Sequence, residues 1–186
     1  MNDAQKNILL KIARDSIQAA VTDTPAPDFK TDDPQLNANC GCFVTLKNGP
    51  HLRGCIGQFI SDKPLVNLIS EVARSSATSD PRFIDKPITL DEMPSLNIEI
   101  SVLSPLKKTD DPMSLRLGID GIYIRKKGRS GCFLPQVAEE TNWTKKQFLS
   151  YCCSHKAGLS PDAWKDPQTE VFLFTAEIFS QDFSKI

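Results

Sequence analysis

The residues best suited to chemistry lie together in Arg53-Gly54-Cys55-Ile56-Gly57. Read as a strand, this stretch alternates its side chains, so Arg53 and Cys55 share one face and Leu52 and Ile56 the other. A permanent cation two residues from a thiol favours the thiolate, which is the nucleophilic form. Gly54 and Gly57 carry no side chain and admit a ligand close to the backbone, with an exposed N–H near the sulfur. These are the ingredients of an activated cysteine or of an anion-binding corner. Glycines beside a cysteine also let another element pack tightly on a sheet, and free cysteine is among the most buried residue types. On residue types alone both readings stand.

A reactive cysteine needs a base, and the two histidines are poorly placed to supply one. His51 falls beside a hairpin turn, and His155 falls near a helix end, where it complements the helix dipole. Glu99 is the better candidate acid or base, on a strand whose Asn97, Glu99 and Ser101 form a polar stripe opposite Ile98 and Ile100. If that stripe shares a cleft with Arg53, a carboxylate, a cation and a thiol converge; if it faces solvent, it has no chemical meaning. Arg82, in Asp80-Pro81-Arg82-Phe83, is a further candidate for substrate binding, although a surface arginine explains it equally well. Gly118-Ile119-Asp120-Gly121 reads as a tight turn with Asp120 bonding its own backbone.

No GxGxxG, P-loop, HExxH or GxSxG pattern occurs, and no cofactor is expected. The cysteines at 40, 42, 55, 132, 152 and 153 lack paired C-x-x-C spacing, and neither histidine sits at ligand spacing from them. They read as ordinary cytosolic thiols, so neither metal nor disulfide is expected.

With a net charge of −1, the chain has no composition that drives it onto nucleic acid. Its main basic cluster, Arg125-Lys126-Lys127 followed by Arg129, reads as a solvated hairpin turn. Asp3, Lys6 and Lys11 interrupt the N-terminal apolar residues, and no apolar run approaches membrane-spanning length. The expected location is the cytoplasm, with no membrane partner. At 186 residues the chain suits one domain, or one domain of two lobes.

These residues need elements to position them. Leu9, Ala13, Ser16, Ile17 and Ala20 recur at helical spacing, predicting a helix over residues 3–21. Residues 22–39, rich in proline and aspartate, have no period and read as a surface loop. Cys42 to Lys47 alternates as a strand, Asn48-Gly49 signals a hairpin, and Leu52 to Gly57 returns. Leu65, Leu68, Ile69, Val72, Ala73 and Ser76 predict a second helix over 63–78, and Leu96 to Leu103 a strand. Ile119 to Leu134 reads as a hairpin around 126–130, with Pro135 opening a helix. Thr144 and Gln147 form a capping box, with Trp143 and Phe148 as the staple, for a helix reaching Ala157 and stopping at Gly158. Val171 to Ile178 alternates as one last strand. Strand pairs mixed with helices, without βαβ alternation, point to an α+β fold.

Six stretches also resemble one family in order. Gly41 to Leu46 (GCFVTL), Leu52 to Gly57 (LRGCIG), Asp80 to Phe83 (DPRF), Ile98 to Leu103 (IEISVL), Leu134 to Glu139 (LPQVAE), and Lys156 to Leu159 (KAGL) with Trp164 are similar to the AMMECR protein family. The likeness runs from about Ile8 to Phe179. That family supplies the A component of the AmmeMemoRadiSam system. The resemblance implies a compact α+β domain spanning residues 1–186, with antiparallel or mixed sheets flanked by helices, and two unequal lobes with a cleft between them. It implies radical-SAM and Memo-like proteins as partners, and it singles out Leu52 to Gly57 as the hallmark motif without naming a reaction.

Two functions follow as expectations. In the first, Cys55 acts as nucleophile, Glu99 as acid or base, and Arg53, Gly54, Gly57 and Arg82 bind a small-molecule or protein substrate. In the second, the same surface is a non-catalytic module gripping a protein or peptide. Nucleic-acid binding ranks below both.

Overall fold

The first apolar stripe folds as α1 (Asp3–Val21), started by a capping box between Asn2 and Gln5. It buries Leu9, Leu10, Ile12, Ala13 and Ile17. The second stripe folds as α2 (Leu65–Thr78), whose Leu65, Leu68, Ile69 and Val72 are all at most 2% exposed. Each such aliphatic side chain, removed from water, contributes about 2 kcal/mol. In this computed structural model, which describes all 186 residues, both helices help bury one face of a four-stranded sheet. Its strand order is β2-β1-β3-β8, with β1 at Cys42–Asn48, β2 at His51–Gln58, β3 at Leu96–Leu103 and β8 at Ala176–Asp182. β1 pairs antiparallel with both β2 and β3.

A second four-stranded sheet has the order β4-β7-β5-β6, formed by Lys107–Thr109, Glu170–Phe174, Gly121–Lys126 and Arg129–Phe133. β4 with β7, β5 with β6 and β5 with β7 all pair antiparallel. It packs against α3 (Gln136–Thr141), α4 (Lys145–Tyr151) and the turns after them, around Ile122, Ile124, Phe148 and Trp164. The fold is therefore α+β, with two compact units: Met1–Leu103 with Glu177–Ile186, and Ser104–Ala176. Each has its own hydrophobic core.

Three elements depart from the sequence expectations. The last strand is two strands in different sheets, β7 and β8, divided at Thr175. There the Ser104 amide donates to the Thr175 carbonyl, and the Thr175 amide donates to Ser104 Oγ, each at 2.9 Å. This exchange fixes the chain as it passes between sheets, which an alternating pattern does not reveal. The helix expected to reach Ala157 changes after Tyr151 into a π-helical turn over Cys152–Lys156, where the Ala157 amide reaches back to the Cys152 carbonyl. Gly158 still adopts a left-handed conformation, φ +63°.

The third departure lies in β2. Leu46 pairs with Gly54 but Lys47 pairs with Leu52, so Arg53 is an extra residue with no partner on β1. This β-bulge breaks strict alternation. Leu52 opposes Lys47 while Ile56 opposes buried Val44, so Leu52 and Ile56 do not share a face.

Candidate functional site

Cys42, Val44 and Leu46 of β1 are fully buried beneath the helices, so Phe43, Thr45 and Lys47 project from the other face. Thr45 stands opposite Cys55 on β2 and Glu99 on β3. Cys55, Thr45 and Glu99 thus form one row across three strands. Neighbouring strands lie about 4.8 Å apart, which separates Cys55 from Glu99 by roughly 10 Å. Thr45 Oγ1 donates to Cys55 Sγ at 3.2 Å, and Glu99 accepts from Lys47 Nζ at 3.1 Å. The sulfur is half-buried, and neither a histidine nor a carboxylate is hydrogen-bonded to it.

β2 is an edge strand, and its free edge is closed by side chains. The Cys55 amide donates to Asp80 Oδ2 at 2.8 Å, while Arg82 Nη2 donates to the Cys55 carbonyl at 3.2 Å. Arg82 also grips Asp80 through Nε at 3.0 Å and Nη2 at 2.6 Å. One loop, Asp80 to Phe83, therefore clamps both polar groups of the Cys55 peptide, which would otherwise invite another strand. The Arg82 guanidinium beside Asp80 holds that carboxyl down to about 2 against the opposing effect of burial, with help from the Cys55 amide. The same bond raises Arg82, and proximity to Cys55 adds to it.

Arg53 does not turn to the thiol. Its Nε and Nη2 hold the Glu92 carboxylate at 2.5 and 2.9 Å, and Nη2 also reaches the Lys86 carbonyl at 3.0 Å. Both partners are largely buried, at 15% and 18% exposure, so this is a structural pair. Glu92 is lowered chiefly by that bond. Phe83 packs with both guanidinium groups, its ring centroid 5.9 Å from the Arg53 carbon and 5.5 Å from that of Arg82.

The two glycines serve close packing. A Cβ on Gly54 would lie 1.9 Å from the Ser76 carbonyl oxygen of α2, and one on Gly57 would lie 2.3 Å from the Phe43 ring. α2 comes this near because Ser76 enters the β1–β2 ladder. Its Oγ accepts the Ile56 amide at 2.9 Å and donates to the Val44 carbonyl at 2.8 Å. Ile56 and Val44 are partners in register, so the hydroxyl bridges a pair that strands usually join directly.

Of the residues singled out from sequence, Cys55 and Glu99 therefore share a row through Thr45, and Arg82 joins Cys55 at the strand edge. Arg53 is directed to Glu92. Thr45, Lys47, Ser76, Asp80 and Glu92 complete the site without having been singled out for it. Ser76 left a trace as a polar residue within the apolar stripe of α2. His51 is exposed at its turn, and His155 stacks on Tyr151 at 5.2 Å. Burial pushes the Cys42 and Cys152 thiols up, and Cys132 up to about 12.

A helix-backed sheet with a clamped cysteine motif on its edge strand, and a second α+β unit inserted before its last strand, define the class of protein. The AMMECR1 family matches residues 10–179, and the chain belongs to that family. A protein of Methanothermobacter thermautotrophicus is 39% identical over 181 residues, covering 94% of this chain and 93% of its own. Protein MK0488 of Methanopyrus kandleri is 41% identical over 184 residues, covering 94% and 87%. The crystal structure of the uncharacterized protein PH0010 from Pyrococcus horikoshii aligns with a TM-score of 0.86 at 36% identity, covering 100% of this chain and 95% of that one. No helix is long and apolar enough to cross a membrane.

Proposed function

We propose that the chain is a binding module, which presents the surface around Cys55 to a partner protein or peptide. One observation carries this reading: the motif's charges are already spent internally. Arg53 is committed to Glu92, Arg82 to Asp80, and Lys47 to Glu99. A base within hydrogen-bond reach is one means of activating a cysteine, and the Cys55 sulfur has none, taking a hydrogen from Thr45 instead. Side chains already held by internal partners suit recognition, because little freedom is lost when they bind. The radical-SAM and Memo-like proteins implied by the family resemblance are the first partners to test.

A second reading, a cysteine-dependent enzyme or accessory factor, draws on Arg82 lying beside Cys55 and on Glu99 in the same row. Alkylation of the native protein with iodoacetamide separates the two. The module reading expects Cys55 to react no faster than half-buried Cys40, and Cys55→Ser to retain partner binding in a pull-down. Labelling of Cys55 more than about tenfold ahead of Cys40, with product formation lost in Cys55→Ser while the complex survives, would overturn it in favour of the enzyme.

A further inference from the structure

The unit formed by Ser104–Ala176 contains a cavity of about 470 Å³ that plays no part in the cysteine motif. We propose that this cavity binds a small phosphate-bearing molecule, seated on Arg116 and Lys107.

Arg116 is the principal feature. Its guanidinium is 62% exposed, yet it is held by a carboxylate, Asp120, that is only 7% exposed. Asp120 takes Arg116 Nε at 2.9 Å and Nη2 at 2.8 Å, and also accepts the backbone amide of Arg116 at 2.8 Å. The tight turn read from Gly118 to Gly121 is therefore more than local: its aspartate reaches back four residues to aim an arginine. The bonds to Asp120 use Nε and Nη2 and leave Nη1 without a partner, and Arg116 lines the cavity. Burying a carboxylate is costly, and one exposed ion pair returns little stability. An arginine fixed at one edge of its planar fork and open at the other is, however, prearranged for an oxyanion.

The rest of the lining fits an anion with several oxygens. Lys107 and Lys108 also line the cavity; with Arg116 paired to Asp120 and Lys108 to Glu170 at 3.4 Å, Lys107 remains as the unpaired cation. The exposed Thr175 lies on the same wall and contributes a hydroxyl. Pro105 and Leu173 supply an apolar wall beside these groups, which suits an organic phosphate better than the bare ion. A phosphate has oxygens enough to meet the open side of the Arg116 fork, Lys107 and the Thr175 hydroxyl together, whereas a carboxylate has two. Nucleic acid would need a continuous basic stripe, rather than the rim of one concavity.

The test uses the full chain at constant ionic strength, titrated by calorimetry or amide chemical shifts with inorganic phosphate, phenyl phosphate and benzoate. Phenyl phosphate is expected to bind saturably and most tightly, inorganic phosphate next, and benzoate at least about tenfold more weakly than phenyl phosphate, a gap of one decade in Kd. Arg116→Gln should weaken phenyl phosphate about tenfold or more, and Lys107→Ala several-fold, whereas Cys55→Ser should leave it unchanged. Lys107 is exposed on an edge strand, so its variant remains informative if Arg116→Gln fails to fold. Absence of saturation, equal affinity for benzoate, or wild-type affinity in folded Lys107→Ala would each overturn the proposal.

Discussion

The carboxyl of Asp80 joins two demands that usually conflict, being 2% exposed and fully charged. It is tolerated because every direction around it is donor: the Arg82 guanidinium, the Arg82 amide and the Cys55 amide. Removing its charge in Asp80→Asn should destabilise the protein by about 1.5–3 kcal/mol at neutral pH, the range for hydrogen bonds to ionised groups. The pH dependence has a definite sign. The carboxyl titrates near 2 in the folded chain and near 3.9 when unfolded, so its stabilisation is complete above the unfolded value and disappears as pH falls through the folded one. Urea midpoints of wild type and Asp80→Asn should therefore differ most above about pH 5 and converge toward pH 2. A gap independent of pH would show that the substitution acts through shape rather than charge. Arg53 shows why this pairing escaped the sequence. Its proximity to Cys55 was legible from spacing, but its commitment to Glu92, 39 residues onward, depends on a tertiary contact that local alternation cannot encode.

Elements were easier to read than contacts between them. Both long helices and the β1–β2 and β5–β6 hairpins follow from period, caps and turn residues, and the Thr144–Gln147 capping box is present as expected. What escaped was irregularity: the bulge at Arg53, the break at Thr175 and the π turn after Tyr151. Each is set by a partner far along the chain or by one extra residue in a ladder, and neither leaves a periodic signal. The most consequential is the Ser76 bridge between β1 and β2, because it draws α2 against Gly54. Gly54→Ala should cost at least about 1–3 kcal/mol, since the added methyl meets backbone rather than a movable side chain. Ser76→Ala alone should cost about 1–2 kcal/mol, by leaving the Ile56 amide and Val44 carbonyl without their shared hydroxyl. In Gly54→Ala/Ser76→Ala the clash persists, because the opposing atom is the main-chain carbonyl of residue 76. Thermal melts that find the double variant as stable as Ser76→Ala would contradict this account of the glycine.

At the scale of the whole molecule, the chain path makes the two units unequal in dependence. Ser104–Ala176 is continuous, whereas the other unit needs both Met1–Leu103 and Glu177–Ile186. The continuous unit begins and ends at the Ser104–Thr175 exchange of two hydrogen bonds, which holds its ends together. Close termini are what allow one folded unit to be inserted within another. Its four strands and its core around Ile122, Ile124 and Phe148 all come from its own residues. The discontinuous unit takes strand β8 from beyond the insertion, and there Glu177 accepts the N-terminal ammonium at 2.8 Å. Residues 104–176 expressed alone should therefore unfold cooperatively, with modest stability, because a core of this size supplies only about 3–5 kcal/mol. Residues 1–103 alone should be less stable than the same segment joined to 177–186 by a short glycine-serine linker. Circular dichroism melts of the three proteins test both points. A non-cooperative melt for 104–176 would place part of its stabilisation outside its own core. Equal melting of 1–103 with and without 177–186 would show that β8 decorates the first sheet without supporting it.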